Sequence, residues 1–172
     1  VPPKQGKRTF DTQVYDRRVY FGFGHPQPEA ALKFGPNIAE WPPIPALADN
    51  LLMQVASVLR DPVTTTDELI PSGETSSYRS NPMKLASFAL SRRDPDYVPR
   101  ALDTQALETA RQAGSLPAQV QEALEKLGQG SLAPAAFQIG SVIFANKPGD
   151  GSAREQAASC QRVLGGCANI CY

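Results

Sequence analysis

Residues 137–155 read FQIGSVIFANKPGDGSARE, and this stretch decides the fold class. Apart from Gln138, its first nine residues are β-branched, aromatic or small, a run short enough to form a buried strand. A loop with two glycines follows. Ser152, with Glu155 three residues later, then matches the capping box that opens a helix. The stretch therefore predicts a buried strand, a tight loop and a helix in succession, which indicates an α/β fold.

The predicted loop has the features of an anion site. Gly149 and Gly151 allow a sharp turn and a close approach of the backbone to a bound group, and a helix start offers unpaired N–H donors. Arg154 adds a guanidinium whose fork geometry suits a carboxylate. Neither a Walker loop nor a dinucleotide fingerprint is present. The pattern favours a carboxylate over a nucleotide phosphate, and the alternative is a helix cap without function.

Outside this stretch, hydrophobic periodicity predicts mainly helices. A helix is expected over residues 47–60, a short one over 83–90, and a helical hairpin over 99–114 and 117–128. Residues 61–82 are rich in hydroxyl side chains and turn formers, which indicates strand and loop. Residues 1–45 are rich in Pro and Gly, which indicates a wrapping segment, with short strands expected within residues 12–21.

Composition excludes several classes of partner. The chain has 172 residues, 41% of them hydrophobic, enough to bury the core of one domain. Seventeen basic residues balance seventeen acidic ones, so no net charge attracts nucleic acid or a membrane surface. No apolar run is long enough to span a membrane and no signal peptide is evident. We expect a soluble cytoplasmic protein that binds neither nucleic acid nor membrane.

The three cysteines lie close together near the end of the chain, at Cys160, Cys167 and Cys171. Their C-x6-C-x3-C spacing has no C-x-x-C pair and is a poor match to zinc sites. An odd number of cysteines also does not match a disulfide framework. We expect reduced thiols buried in a helix and a strand, and no metal bound by them.

Two segments together resemble the C-terminal swivelling domain of the aconitase family. Residues 65–79, TTDELIPSGETSSYR, match that family's T-T-D-x-I-x-x-x-G segment and keep an arginine, Arg79, six residues after the glycine. Residues 149–155, GDGSARE, match its G-x-G-S-S-R-E loop, and Leu164-Gly165-Gly166 falls where the family has L-G-G. The first segment is most similar to a bacterial branch of aconitase-like hydratases.

The resemblance implies roles for individual residues. Ser152 would be the catalytic base that removes a proton from the carbon next to a carboxylate. Arg79 and Arg154 would bind substrate carboxylates, and Gly151 and Ala153 would line the same substrate site. The substrate would be a hydroxy di- or tricarboxylic acid. Ala153 stands where the family commonly has a second serine, so one hydroxyl is missing from the site.

The resemblance also implies a cofactor and a partner that this chain does not provide. In the family a [4Fe–4S] cluster acts as the Lewis acid, and cysteines of other domains hold it. We therefore expect this chain to bind no cluster, to work with cluster-bearing domains, and to lack complete activity alone.

The fold that the resemblance implies for residues 1–172 is the three-layer swivelling β/β/α domain of aconitase type. A small β core would carry helices outside it, with the two motif loops converging at one edge. Because the first residue is Val1, we expect an excised piece of a longer hydratase. The family's domain continues well past Gly166, so we also expect a C-terminally incomplete fold.

Two other functions stay open at this point. One is a non-catalytic interaction or regulatory module on the same scaffold, which Ala153 supports. The other is the small subunit of an isopropylmalate-isomerase-like enzyme. Two side chains receive structural interpretations: Asp67 is expected to orient a backbone turn or a partner arginine, and Trp41 is expected to pack onto the core.

Overall fold

A computed structural model describes residues 24–172 together with residues 11, 13 and 17. The chain divides into two units, residues 1–33 and residues 34–172. In the first unit, a turn is closed by a hydrogen bond from the Ala30 N–H to the Gln27 carbonyl. The strands expected within residues 12–21 lie outside the described residues. All helices and strands given below belong to the second unit.

The second unit is mixed α/β. Its strands and helices, in chain order, are β1 (Leu51–Leu59), β2 (Thr64–Thr65), α1 (Thr66–Leu69), α2 (Pro82–Ala86), α3 (Tyr97–Gln112), α4 (Ala118–Lys126), β3 (Gln138–Ala145), β4 (Pro148–Asp150), α5 (Arg154–Val163) and β5 (Gly166–Cys171). Within the described residues, β1, β3 and β5 form a parallel sheet in the order β1-β3-β5, and β2 pairs with β4 in a second, two-stranded parallel sheet. The α/β class is therefore confirmed.

Strand β3 is buried, as the run of β-branched and aromatic residues predicts, and it is the central strand of its sheet. All of its residues except Phe144 are buried. A strand that pairs on both sides and is covered on both faces has no polar face, so its sequence does not alternate. Helix α3 packs against β3 and β1 on one side of the sheet.

The helix predicted over residues 47–60 is wrong, because Leu51–Leu59 is strand β1. Its pairing with β3 shifts register between Val55 and Ser57. Such a bulge breaks the two-residue alternation of a strand, and here Ala56 and Ser57 are buried one after the other. Because the alternation is interrupted, the apolar residues of β1 happen to fall at intervals that resemble those of a helix.

The other predicted helices are confirmed, although α2 ends at Ala86 and not at residue 90. Residues 61–82, predicted as strand and loop, also contain the short helix α1, which the capping box at its start explains. Helix α2 begins at Pro82, where the Asn81 side chain caps it by accepting a hydrogen bond from the Lys84 N–H. Helices α3 and α4 form the predicted pair. Gly114 and Gly128 follow their ends with φ of 83° and 69°, the left-handed conformation that terminates many helices.

The core of the second unit consists of two clusters of buried residues. The larger lies between the sheet and helices α1, α2, α3 and α5, with Leu90, Tyr97 and Ile143 among its most buried side chains. The smaller joins α4 to the start of β3 through Val120, Leu124 and Phe137. Among the described residues, no helix combines the length and the apolar character that crossing a membrane requires.

Candidate functional site

The second sheet brings together the two segments that carry the family resemblance. Strand β2 lies at the start of the first segment, and β4 leads directly into the second. Thr64 pairs with Pro148, and Thr65 pairs with Asp150. Two stretches that are far apart in the chain therefore meet at one place, and helix α1 also contacts β4 there.

Gly151 lies where the two segments approach each other most closely. A Cβ atom on Gly151 would stand 2.1 Å from the Oγ1 atom of Thr66, and its φ of 147° is one that other residues rarely adopt. Gly149 has a φ of 88° with open space around it. The predicted sharp turn is confirmed, and the close approach at Gly151 is to Thr66 of the same chain.

The capping box predicted at Ser152 and Glu155 is wrong. Helix α5 begins one residue later than that pattern requires, so Ala153 occupies the N-cap position and its side chain has no oxygen to offer the first turn. The capping box of this region is at Thr65 and Glu68 instead. The Thr65 N–H donates to Glu68 Oε2 at 2.7 Å, and the Glu68 N–H donates to Thr65 Oγ1 at 3.2 Å.

Ser152 lies in the loop before α5, and Arg154 is the first residue of that helix; both are exposed. The Arg154 Nε donates to the Gly151 carbonyl at 2.8 Å. This bond holds the guanidinium against the glycine turn and leaves its two terminal nitrogens facing away from that carbonyl.

Arg79 lies close to helix α5. It lines a cavity of about 230 Å³ together with Glu155 from the first turn of that helix. Its guanidinium makes one long hydrogen bond, to the Ser72 carbonyl at 3.4 Å. Ser152, Arg154, Gly151 and Ala153 are not among the residues that line this cavity. The structure thus places Arg79 beside the predicted helix, in a cavity that the serine loop does not line.

Asp67 has the structural role that the sequence favoured. One carboxylate oxygen accepts a hydrogen bond from the Ser72 N–H at 3.1 Å, and the other accepts one from Arg92 at 2.7 Å. Arg92 also binds Glu74 at 2.7 Å. These contacts stabilise the loop that leads to Arg79.

Trp41 does not pack in the core, so that prediction is wrong. Its side chain is 55% exposed and lines the Arg79 cavity. The segment that carries it is held to the rest of the unit by backbone groups: the Ala39 N–H donates to the Ser80 carbonyl at 2.9 Å, and Arg162 donates to the Pro45 carbonyl. Proline-rich sequence without helical or strand periodicity contains no signal for such a placement.

Glu108 is a buried carboxylate that the sequence did not single out. Arg111 binds both of its oxygens, at 2.7 and 2.8 Å, and the Ile139 N–H donates to it at 2.8 Å. Burial acts to raise the pKa of Glu108, but hydrogen bonds from Arg111, Ile139 and Gln112 outweigh it, so the pKa is lowered. The spacing of three residues between Glu108 and Arg111 on a predicted helix was the available signal.

The cysteines differ in their surroundings. Cys160 is buried in α5, as expected, and burial raises the pKa of its thiol to about 12. Cys167 is half-buried in β5, where burial raises its pKa as well, while Cys171 is exposed, contrary to expectation. Within residues 24–172, no three His, Cys, Asp or Glu side chains form a group that could hold a metal ion.

No protein-family model, no curated protein and no solved structure matches this chain.

Proposed function

We propose that this chain is the substrate-clamping domain of an aconitase-like hydratase, with the three-layer swivelling fold of that family. Ser152 acts as the base, and Arg79 and Arg154 bind carboxylates of a hydroxy di- or tricarboxylic acid. Cluster-bearing domains complete the enzyme. The observation that supports this proposal best is the parallel pairing of β2 with β4, which joins the two segments on which the resemblance rests.

The surroundings of Ser152 suit proton removal. The residue is exposed, so it is accessible to a ligand. The adjacent Arg154 guanidinium and the positive end of α5 both favour negative charge at this place. In the dehydration step, Ser152 reacts as its alkoxide: the oxygen takes the proton from the carbon next to the substrate carboxylate and becomes the neutral hydroxyl. The electron pair of that C–H bond forms the double bond as the hydroxyl group leaves.

The arginines have separate tasks. Arg154 is anchored through Nε to the Gly151 carbonyl, which orients its terminal nitrogens for one carboxylate beside Ser152. Arg79 takes part in none of the ion pairs among residues 24–172, so its charge is available to a second ligand group. Because the Arg79 cavity excludes the serine loop, domain closure onto the partner is expected to place the substrate between them.

The iron–sulfur cluster does not fit the cysteines of this chain. Cys160 is buried with a raised pKa, whereas a ligating cysteine must lose its proton. In the proposal the cluster supplies Lewis-acid assistance to the departing hydroxyl from the partner domains, and no residue described here binds it.

The test is to combine this chain with its cluster-bearing counterpart and to measure water addition across a panel of unsaturated acids. Ser152→Ala is expected to lower the rate by several orders of magnitude while leaving substrate affinity within about threefold. Ser131→Ala, a change at an exposed serine outside the site, is the matched control. An unchanged rate in Ser152→Ala would remove the assignment of the base.

A further inference from the structure

The cavity between Arg79 and Glu155 has a charge arrangement that constrains its ligand. One cationic and one anionic side chain line it, and neither takes part in an ion pair among residues 24–172. Two opposite charges that face one small space without pairing are each available to a ligand. The complementary ligand offers an anionic group to Arg79 and a hydrogen-bond donor to Glu155.

The rest of the lining has an apolar side and a polar side. One wall is apolar and is formed by Trp41, Pro82, Leu85 and Val163, while Gln156, Ser159 and Cys160 of α5 complete the lining. The volume of about 230 Å³ suits a small acid of roughly ten heavy atoms or fewer. Because the Trp41 indole and the Arg79 guanidinium line the same cavity, an alkyl or planar arm next to the ligand's carboxylate can pack against the indole. A second or third carboxylate in the same space would lie against these apolar groups and near Glu155.

We infer that Glu155 determines the specificity of this cavity: it accepts a hydrogen bond from the ligand's hydroxyl and excludes a second carboxylate. The ligand class is a 2-hydroxy acid that places one carboxylate on Arg79 and an apolar arm against Trp41. This inference rests on the proposed function, because it names the part of the substrate that the Arg79 side of the enzyme holds. The inference therefore excludes tricarboxylic acids from the expected substrates.

Trp41 is the only tryptophan in the sequence, so its fluorescence reports on this cavity directly. The full chain is titrated with 2-hydroxy-4-methylpentanoate, with 4-methylpentanoate, which lacks the hydroxyl, and with citrate. Isothermal calorimetry repeats each titration. The hydroxy acid is expected to bind the wild-type chain about fivefold more tightly than either of the other two.

Two variants separate the roles of the charged groups. Arg79→Ala is expected to weaken binding of both monocarboxylates about tenfold. Glu155→Gln is expected to reduce the preference for the hydroxyl, because an amide oxygen accepts a weaker hydrogen bond than a carboxylate, and to tighten citrate binding about fivefold, because one negative charge is removed. Glu122→Gln, on helix α4 and outside the cavity, is the matched control and should change none of these affinities.

Several results would overturn the inference. The first is that citrate binds the wild-type chain at least as tightly as the hydroxy acid does. The second is that Glu155→Gln leaves the relative affinities unchanged. The third is that none of the acids produces a fluorescence change or a heat of binding. Thermal unfolding of each variant shows whether the fold is retained. A different result would contradict the proposed function alone. In that case the acids bind with the predicted preferences, but the chain combined with its cluster-bearing partner hydrates none of them.

Discussion

A side-chain carbon on Gly151 would stand 2.1 Å from the Oγ1 of Thr66, a distance at which two such atoms cannot coexist. Thr66 is itself 5% exposed, so it has little room to move away. The absence of a side chain at Gly151 is therefore what lets the β4 loop lie against helix α1.

Gly151→Ala should destabilise the protein because it introduces both this clash and an unfavourable φ. The expected loss is about 2 kcal/mol in the free energy of unfolding, measured by urea denaturation. Gly73→Ala is the control, since Gly73 has open space around it and no unusual φ. Equal stability of the two variants would contradict the close packing.

Thr65→Ala and Ser152→Ala should differ in stability although both remove a hydroxyl near a helix start. Thr65 caps α1 through the Glu68 N–H, so its loss should lower the free energy of unfolding by about 1 kcal/mol. Ser152 caps no helix, and its replacement should change stability by less than about 0.5 kcal/mol. The measurement is chemical denaturation of both variants, and a larger loss in Ser152→Ala would restore the cap predicted from sequence.

Glu108 should make the protein sensitive to acid. Its pKa is lowered in the folded state, so its carboxylate stabilises the fold at neutral pH, and that stability is lost as pH falls below the ordinary value of 4.5 and through the folded pKa. Glu108→Gln should lower the free energy of unfolding by about 3 kcal/mol at pH 7 and flatten its decline in acid.

The control for Glu108 is Glu122→Gln, which removes an exposed ion pair with Lys126. That change should alter stability by less than about 1 kcal/mol at any pH. The comparison uses the midpoint of thermal unfolding from pH 3 to pH 8, a window of about five units that brackets the titration of ordinary carboxyl groups. A Glu108→Gln profile parallel to the wild-type profile would contradict the assignment.

The three thiols should react at different rates with a maleimide near neutral pH. Cys171 is exposed and should react first, and Cys167 is half-buried and should follow. Cys160 is buried with a pKa raised to about 12, so it should react only when the protein unfolds. Mass spectrometry of the labelled chain identifies each site, and rapid labelling of Cys160 in the folded protein would contradict its burial.

Local sequence predicted the elements that depend on local interactions. The helical pair and strand β3 follow from periodicity within each segment. Strand β1 did not, because its bulge near Ala56 is set by pairing with a distant strand. Ser152 and Thr65 both begin the pattern of a capping box, and only the folded chain decides which one opens a helix.

The site was predictable to a similar extent. The meeting of the two resemblance segments was expected, and the β2–β4 pairing brings them together. The apolar wall formed by Trp41 was missed, since a proline-rich segment has no period that tells which face turns inward. Glu155 was interpreted only as part of a cap, because its exposure to the Arg79 cavity depends on where α5 begins.

The parallel arrangement of the main sheet also sets an order of assembly. Leu51 has its partner in Gln138, so strand β1 leaves the ribosome long before β3 exists. Parallel pairs of this kind close large loops, which slows their formation. Until the chain is synthesised past Ala145, the apolar residues of β1 are without their native neighbours, and a chaperone that binds extended apolar segments would find its target there during translation.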